Sequence, residues 1–123
     1  MVSDKFKDVI AHEGVVSIVS WAHNDAHVVN TWNSYLELTD DDRLLIPAYG
    51  MRKTEKNVVA HPQVKLTLGS REVEGFRSPG TGFLMTGTAR FISEGAIFEE
   101  WKTRYTWLTR VLEVKLESVK QTL

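Results

Sequence analysis

The clearest periodicity lies between Arg43 and Arg71. Leu44, Leu45 and Ile46 form a continuous apolar block, which predicts a buried strand ending at Pro47 and Gly50. Val64, Leu66 and Leu68 alternate with Lys65, Thr67 and Gly69, the period of a strand with one apolar face. The intervening segment MRKTEKNVVAHP predicts a basic loop and a two-turn helix. Thr54 is expected as the N-cap, with Asn57 three positions on. His61–Pro62 ends the helix, because a proline disfavours helical geometry in the residue before it.

The same reading extends to the rest of the chain. Ser3 is the expected cap of a short helix with Phe6, Val9 and Ile10 on one stripe and Gly14 as its stop. Val15–Trp21 carries apolar residues on both faces, as an interior strand does. Residues 23–25 predict a turn, with Asn24 and Asp25 suited to its geometry. His27–Leu38 reads as one longer strand. Val28, Asn30, Trp32, Ser34 and Leu36 share one face; Val29, Thr31, Asn33, Tyr35 and Glu37 share the other. Asp40–Asp42 turns the chain into the central stretch. A glycine- and proline-marked loop over 74–82 leads to a strand from Phe83 to Ile92. Ser93 precedes a helix near 96–105 with a stripe of Ile97, Phe98, Trp101 and Tyr105, and Leu108–Val119 is the last strand. The fold expected is mainly β: one domain over 1–123, with six antiparallel strands and short connecting helices, closed into a barrel.

Composition narrows the function classes. Fifteen Lys and Arg against sixteen Asp and Glu give a net charge of −1. General nucleic-acid binding needs a positive surplus, so it is not expected. The absence of cysteine excludes disulfides and thiolate-held metals. No apolar run approaches a membrane span and the polar start MVSDKFKD is unlike a signal peptide, so a cytoplasmic location is expected.

Two stretches suggest chemistry. Arg52, Lys53 and Lys56 surround a helix start, where free N–H groups and the positive end of the dipole suit a dianionic phosphate. The bland alternative is a surface helix with solvated lysines. Asn30-Thr31-Trp32-Asn33-Ser34-Tyr35 places polar groups on both faces of a strand. Each such group left unpaired in a buried strand would cost about 1–3 kcal/mol. Either Asn30 and Asn33 bond adjacent loops with Trp32 and Tyr35 in the core, or a flat heteroaromatic ligand uses Trp32, Tyr35 and Trp107 as walls. The four histidines have no metal-ligand spacing: His23 and His27 flank a turn rather than lie on a helix. No Gly-x-Gly-x-x-Gly, Walker loop or Gly-x-Ser-x-Gly is present.

Over nearly its full length the chain resembles the FMN-binding split β-barrel family, which includes pyridoxamine 5′-phosphate oxidases and related flavin reductases. The likeness is carried by HVVNTWNSYL at 27–36, GMRKTEKNVVAHPQVKLTLGSR at 50–71, SPGTGFL at 78–84 and the terminal QTL, with HEGVV at 12–16 in part. It implies FMN held without a covalent bond at a homodimer interface. The phosphate would sit near Thr31, Lys53 and Thr54, and the ring along Asn30, Trp32, Tyr35, Gly50 and Met51. Trp107 and Leu123 would reach the flavin of the neighbouring subunit. The barrel oxidases carry Ser-Arg-Lys before this helix, whereas this chain has Arg52-Lys53-Thr54, which displaces the basic residue by one. The C-terminal substrate segment of those oxidases is not found here, which argues against vitamin B6 oxidation.

Three functions follow. One is an FMN protein that carries electrons or reduces a small acceptor. A second is an enzyme of the same fold: an NAD(P)H-dependent flavin reductase, a pyridoxamine 5′-phosphate oxidase-like enzyme, or one using deazaflavin or haem. The third is an interaction module without a cofactor.

Overall fold

Seven strands build the sheet rather than six, because the long strand expected over His27–Leu38 breaks in its middle. The computed structural model describes all residues 1–123. Strand β1 (Val15–Ala22) pairs with β2 (Asp25–Trp32) in a hairpin. Its two turn residues are His23 and Asn24, with φ of 55° and 64°. Both are left-handed, which matches the turn to the twist of the strands and sets it one residue earlier than expected. After Trp32 the chain makes one 3₁₀ turn, Asn33–Tyr35, and resumes as β3 (Glu37–Leu38). The face alternation expected beyond residue 32 is therefore lost.

The remaining elements are α1 (Asp4–Ile10), β4 (Arg43–Ala48), α2 (Arg52–Ala60), β5 (Gln63–Glu74), β6 (Pro79–Ile92), α3 (Ala96–Arg104) and β7 (Arg110–Gln121). The loop expected over 74–82 shrinks to a turn, because β5 and β6 pair as far as Glu74 and Pro79. Helix α3 is entered through Gly95, with φ of 98°, and has no side-chain cap from Ser93.

The strand order is β2-β1-β5-β6-β7-β4-β3, antiparallel throughout. The two edge strands, β2 and β3, are consecutive in the chain and joined only by residues 33–36. So short a link forces the sheet to roll up until its edges meet. No ladder joins β2 to β3, so the barrel keeps a seam and is split. Strand β3 covers only Leu44 and Leu45 of β4. Pro47 lies past that cover, opposite Val111 of β7, and Ala48 next to it turns its carbonyl towards Thr109. The missing N–H of Pro47 therefore falls on the uncovered edge, where the ladder loses nothing.

Strand alternation sends Val16 and Ile18, Leu44 and Ile46, Val64, Leu66 and Leu68, Phe83 and Met85, and Leu112, Val114 and Leu116 into one core. Helix α1 docks Phe6 and Val9 onto it, with the Phe6 ring edge-on to Phe83 at 5.3 Å. Ser3 caps α1 as expected, its hydroxyl accepting from the Phe6 N–H at 3.2 Å. Burying the two apolar side chains contributes roughly 1.5–3 kcal/mol each against about 1 kcal/mol for the cap. Docking, not propensity, thus holds so short a helix. It ends at Ile10, before Gly14. A Cβ on Gly14 would fall inside the van der Waals shell of the Gly69 carbonyl oxygen, so Gly14 serves close backbone approach and not as a helix stop. On the outer face of β4 and β7, helix α3 covers a smaller cluster of Leu45, Trp101, Leu108 and Val111. No helix is long and apolar enough to cross a membrane.

Candidate functional site

The corner between β4 and α2 is built from backbone. After Ala48 the chain turns through Tyr49, Gly50 and Met51, and Met51 adopts φ 55° and ψ 34°. That left-handed residue starts the helix, so Met51 is the N-cap and Thr54 is not. Thr54 falls in the first turn, fully buried, and its hydroxyl has no partner. A Thr followed three residues later by Asn reads as a cap in the sequence. The helix, however, begins at the left-handed turn three residues upstream.

The consequence is a run of free donors. The N–H groups of Gly50, Met51, Arg52, Lys53 and Thr54 donate to no group of the chain; the first helical bond is Glu55 N–H to the Met51 carbonyl at 2.9 Å. No side chain caps them. Above Gly50 the space is open, since a Cβ there would meet no atom within 4 Å. Lys53 is exposed beside these groups. Arg52 lies 3.5 Å from the Glu55 carboxylate.

Next to this corner is a cleft of about 300 Å³ lined by Val29, Asn30, Thr31, Trp32, Tyr35, Pro47, Tyr49, Gly50, Met51 and Trp107. It joins Asn30, Thr31, Trp32, Tyr35, Gly50, Met51 and Trp107, which the sequence assigned to one site. Trp32 and Trp107 remain 48% and 42% exposed, whereas Trp101 is fully buried. The first two therefore have ring surface to offer a ligand. Tyr35 holds the wall, edge-on to Trp107 at 5.8 Å and to Tyr105 at 5.5 Å. Asn30 donates to the Ser17 hydroxyl at 3.0 Å and to the Val16 carbonyl at 3.3 Å.

Lys53 and Thr54 do not line the cleft; they sit in the first turn of α2, directly after Met51. Leu123 is elsewhere. Trp107 precedes the first residue of β7 and Leu123 follows beyond its last, so the strand separates them. The Leu123 carbonyl accepts from Thr81 at 2.6 Å, and its residue borders a cleft with Glu13, Arg71 and Gly80. Within one chain, then, Trp107 belongs with Trp32 and Leu123 does not.

Asn33 takes a structural part. It is fully buried, and its amide donates to the carbonyls of Val9, His12 and Gly69 at 3.2, 3.0 and 3.1 Å. This ties α1, β5 and the 3₁₀ turn together. The Asn33 backbone N–H donates to the Gly14 carbonyl at 2.9 Å, at the point where β2 gives way to the 3₁₀ turn. No group of three or more His, Asp or Glu side chains is placed to hold a metal ion.

Arg110 escaped the sequence reading. It is 4% exposed, stacks on Phe91 with 4.9 Å to the ring centre, and donates to the carbonyls of Tyr49 and Gly50. Burial lowers its pKa, against the opposing pull of the Glu55 carboxylate, but an arginine remains a cation. The signal was available: Arg110 shares the parity of Leu112, Val114 and Leu116, the core-facing side of β7.

The cleft can stack a flat ring and the corner can bind an anion. A phosphate monoester fits the unpaired N–H run, Lys53 and the open space over Gly50.

The chain matches the sequence profile of the family described as pyridoxamine 5′-phosphate oxidase over residues 2–122. It is 44% identical to the FMN-binding protein of Nitratidesulfovibrio vulgaris (strain Miyazaki F) over 123 residues, which is 100% of both chains. Among solved structures, HupZ of Group A Streptococcus superposes with a TM-score of 0.78 at 17% identity, over 98% of this chain and 94% of that one. An FMN-binding protein of Syntrophomonas wolfei does so with 0.70 at 18% identity, over 88% and 76%. At such identities these two likenesses are of fold alone.

Proposed function

The chain belongs to the pyridoxamine 5′-phosphate oxidase family, and we propose that it is a flavoprotein that binds FMN non-covalently and carries electrons or reduces a small acceptor. The observation that carries this reading is the meeting of the aromatic cleft with the unpaired N–H run at one corner. The likeness to a curated FMN-binding protein over its whole length supports the choice of flavin.

When bound, FMN supplies the redox chemistry at its N5 atom. Trp32, Tyr35 and Trp107 would shield one ring face from water, and Asn30 would meet a polar ring edge. The N–H groups of Gly50 to Thr54, with Thr31 and Lys53, would hold the phosphate. The cleft lining contains no carboxylate, imidazole or amine. The only proton-transfer groups in its lining are the Tyr35 and Tyr49 phenols, weak acids at neutral pH, which favours electron transfer over proton abstraction. FMN has about 31 non-hydrogen atoms; at roughly 0.3 kcal/mol each, affinity near 9 kcal/mol and a sub-micromolar Kd are expected.

A homodimer with FMN at the interface completes the proposal. One chain alone leaves Trp32, Trp107 and Tyr49 42–66% exposed around a shallow cleft, which a second copy would cover. The same copy would bring Leu123 to the flavin. A cytoplasmic location and an unidentified redox partner belong to the same reading.

The test is the visible spectrum of the purified protein, with and without added FMN and after dithionite. A flavin band that bleaches on reduction is expected. A protein that stays colourless and shows no binding heat with FMN overturns the reading. NADH or NADPH turnover with added FMN would instead assign a flavin reductase.

A further inference from the structure

Three carbonyls in succession, those of Ala48, Tyr49 and Gly50, are held from the start of β7. The Thr109 N–H donates to Ala48 at 2.9 Å, and the Thr109 hydroxyl to Tyr49 at 2.8 Å. One terminal nitrogen of Arg110 donates to Tyr49 at 3.1 Å and also to Gly50. In a trans peptide the N–H points away from the carbonyl it follows. Fixing the Tyr49 and Gly50 carbonyls towards Arg110 thus turns the N–H groups of Gly50 and Met51 away from it. These are the first two of the unpaired donors that continue through Thr54.

The guanidinium is also unusual in what it leaves unmade. Its Nε and its other terminal nitrogen are buried and lack a hydrogen-bond partner. That second nitrogen lies 3.4 Å from the Glu55 carboxylate. Glu55 sits in the first turn of α2, where an acidic side chain would otherwise compete for the same donors. The arginine draws it aside, together with Arg52 at 3.5 Å. A buried cation, rarely retained without a task, thus backs the anion corner without reaching the solvent.

We propose that Arg110 is the positioning residue of the phosphate corner: it locks the Tyr49–Met51 turn in the orientation that presents the free N–H groups, and withholds Glu55 from them. The inference rests on the FMN reading above and adds to it a residue that touches no ligand. It makes the preference for FMN over riboflavin, which lacks the phosphate, depend on a side chain behind the site.

The test measures Kd for FMN and for riboflavin by fluorescence titration of the full-length wild type, Arg110→Gln, Arg110→Lys and Glu55→Gln. Arg110→Gln should weaken FMN about 10- to 100-fold while riboflavin changes less than about threefold. Arg110→Lys keeps the charge but not the fork, and should fall between. Glu55→Gln should strengthen FMN a few-fold at low salt and leave riboflavin unchanged. Equal losses of both ligands in Arg110→Gln, or an unchanged ratio in all variants, overturn the positioning role while the FMN reading stands. If the Arg110 variants do not fold, Glu55→Gln decides: an unchanged affinity for FMN relative to riboflavin overturns the role, and a raised relative affinity supports it. Wild type that binds neither flavin overturns both proposals.

Discussion

Asn33 and Met51 mark two breaks in strand pattern, one after β2 and one after β4, and the polar groups around them meet opposite fates. At Asn33 both amide hydrogens are spent on backbone carbonyls, and only its Oδ1 is left over. Gly14 and Gly69 touch there with no room for a methyl group. At Met51 the backbone is also irregular, but its N–H groups are left open and the space above Gly50 is empty of protein. The first break is closed on itself and stabilises the fold. The second leaves its donors free at a helix start whose Gly50, Arg52 and Lys53 are exposed, open to water or to an anion. An irregular, polar strand end is thus no sign of a site by itself; the proposed site rests on free donors that lie beside exposed aromatic rings.

The contrast can be attacked from both sides. The largest effect is expected for Gly14→Ala, which forces a methyl group into the Gly69 carbonyl. A loss of about 3 kcal/mol or more is expected in urea denaturation, with no special effect on flavin selectivity. A midpoint like that of wild type would show that the closed region is not packed as described. Trp32→Ala should act the other way round. The ring is half exposed, so the apoprotein midpoint should move little, while FMN and riboflavin affinities fall together by roughly 10- to 100-fold. A large stability loss with unchanged affinity would place Trp32 among the core residues instead. Lys53→Ala should weaken FMN about tenfold at low salt, less at high salt, and spare riboflavin. Thr54→Val gives the smallest change. Its hydroxyl is buried and unpaired, so the apoprotein should be as stable or slightly more so. FMN should weaken a few-fold relative to riboflavin; equal changes for both would exclude Thr54 from the phosphate corner.

The β-rich fold was legible where alternation was clean, as in Val64–Leu68 and Leu112–Leu116. The aromatic cleft was legible too, because Trp32, Tyr35 and Trp107 are residue types that stack ligands. Three features were not. The break at Asn33 depends on carbonyls of Val9, His12 and Gly69, distant in sequence. The helix start depends on a left-handed Met51, a conformation rare for a methionine and invisible to capping patterns. Arg110 was overlooked because an arginine in a strand is ordinarily read as solvated, and only parity with its core-facing neighbours argues otherwise. Leu123 is a different case: its assignment came from resemblance and requires a second copy of the chain.

The rolled sheet stays unsealed, and that has a bearing on the polarity of the opening. Past Leu45 no strand pairs with the outer edge of β4, yet Ile46, Pro47 and Ala48 are buried there. A buried edge would strand an amide hydrogen, and Pro47 has none to strand. The same proline borders the cleft, so the wall it contributes is apolar down to its backbone nitrogen, a surface suited to a flat guest.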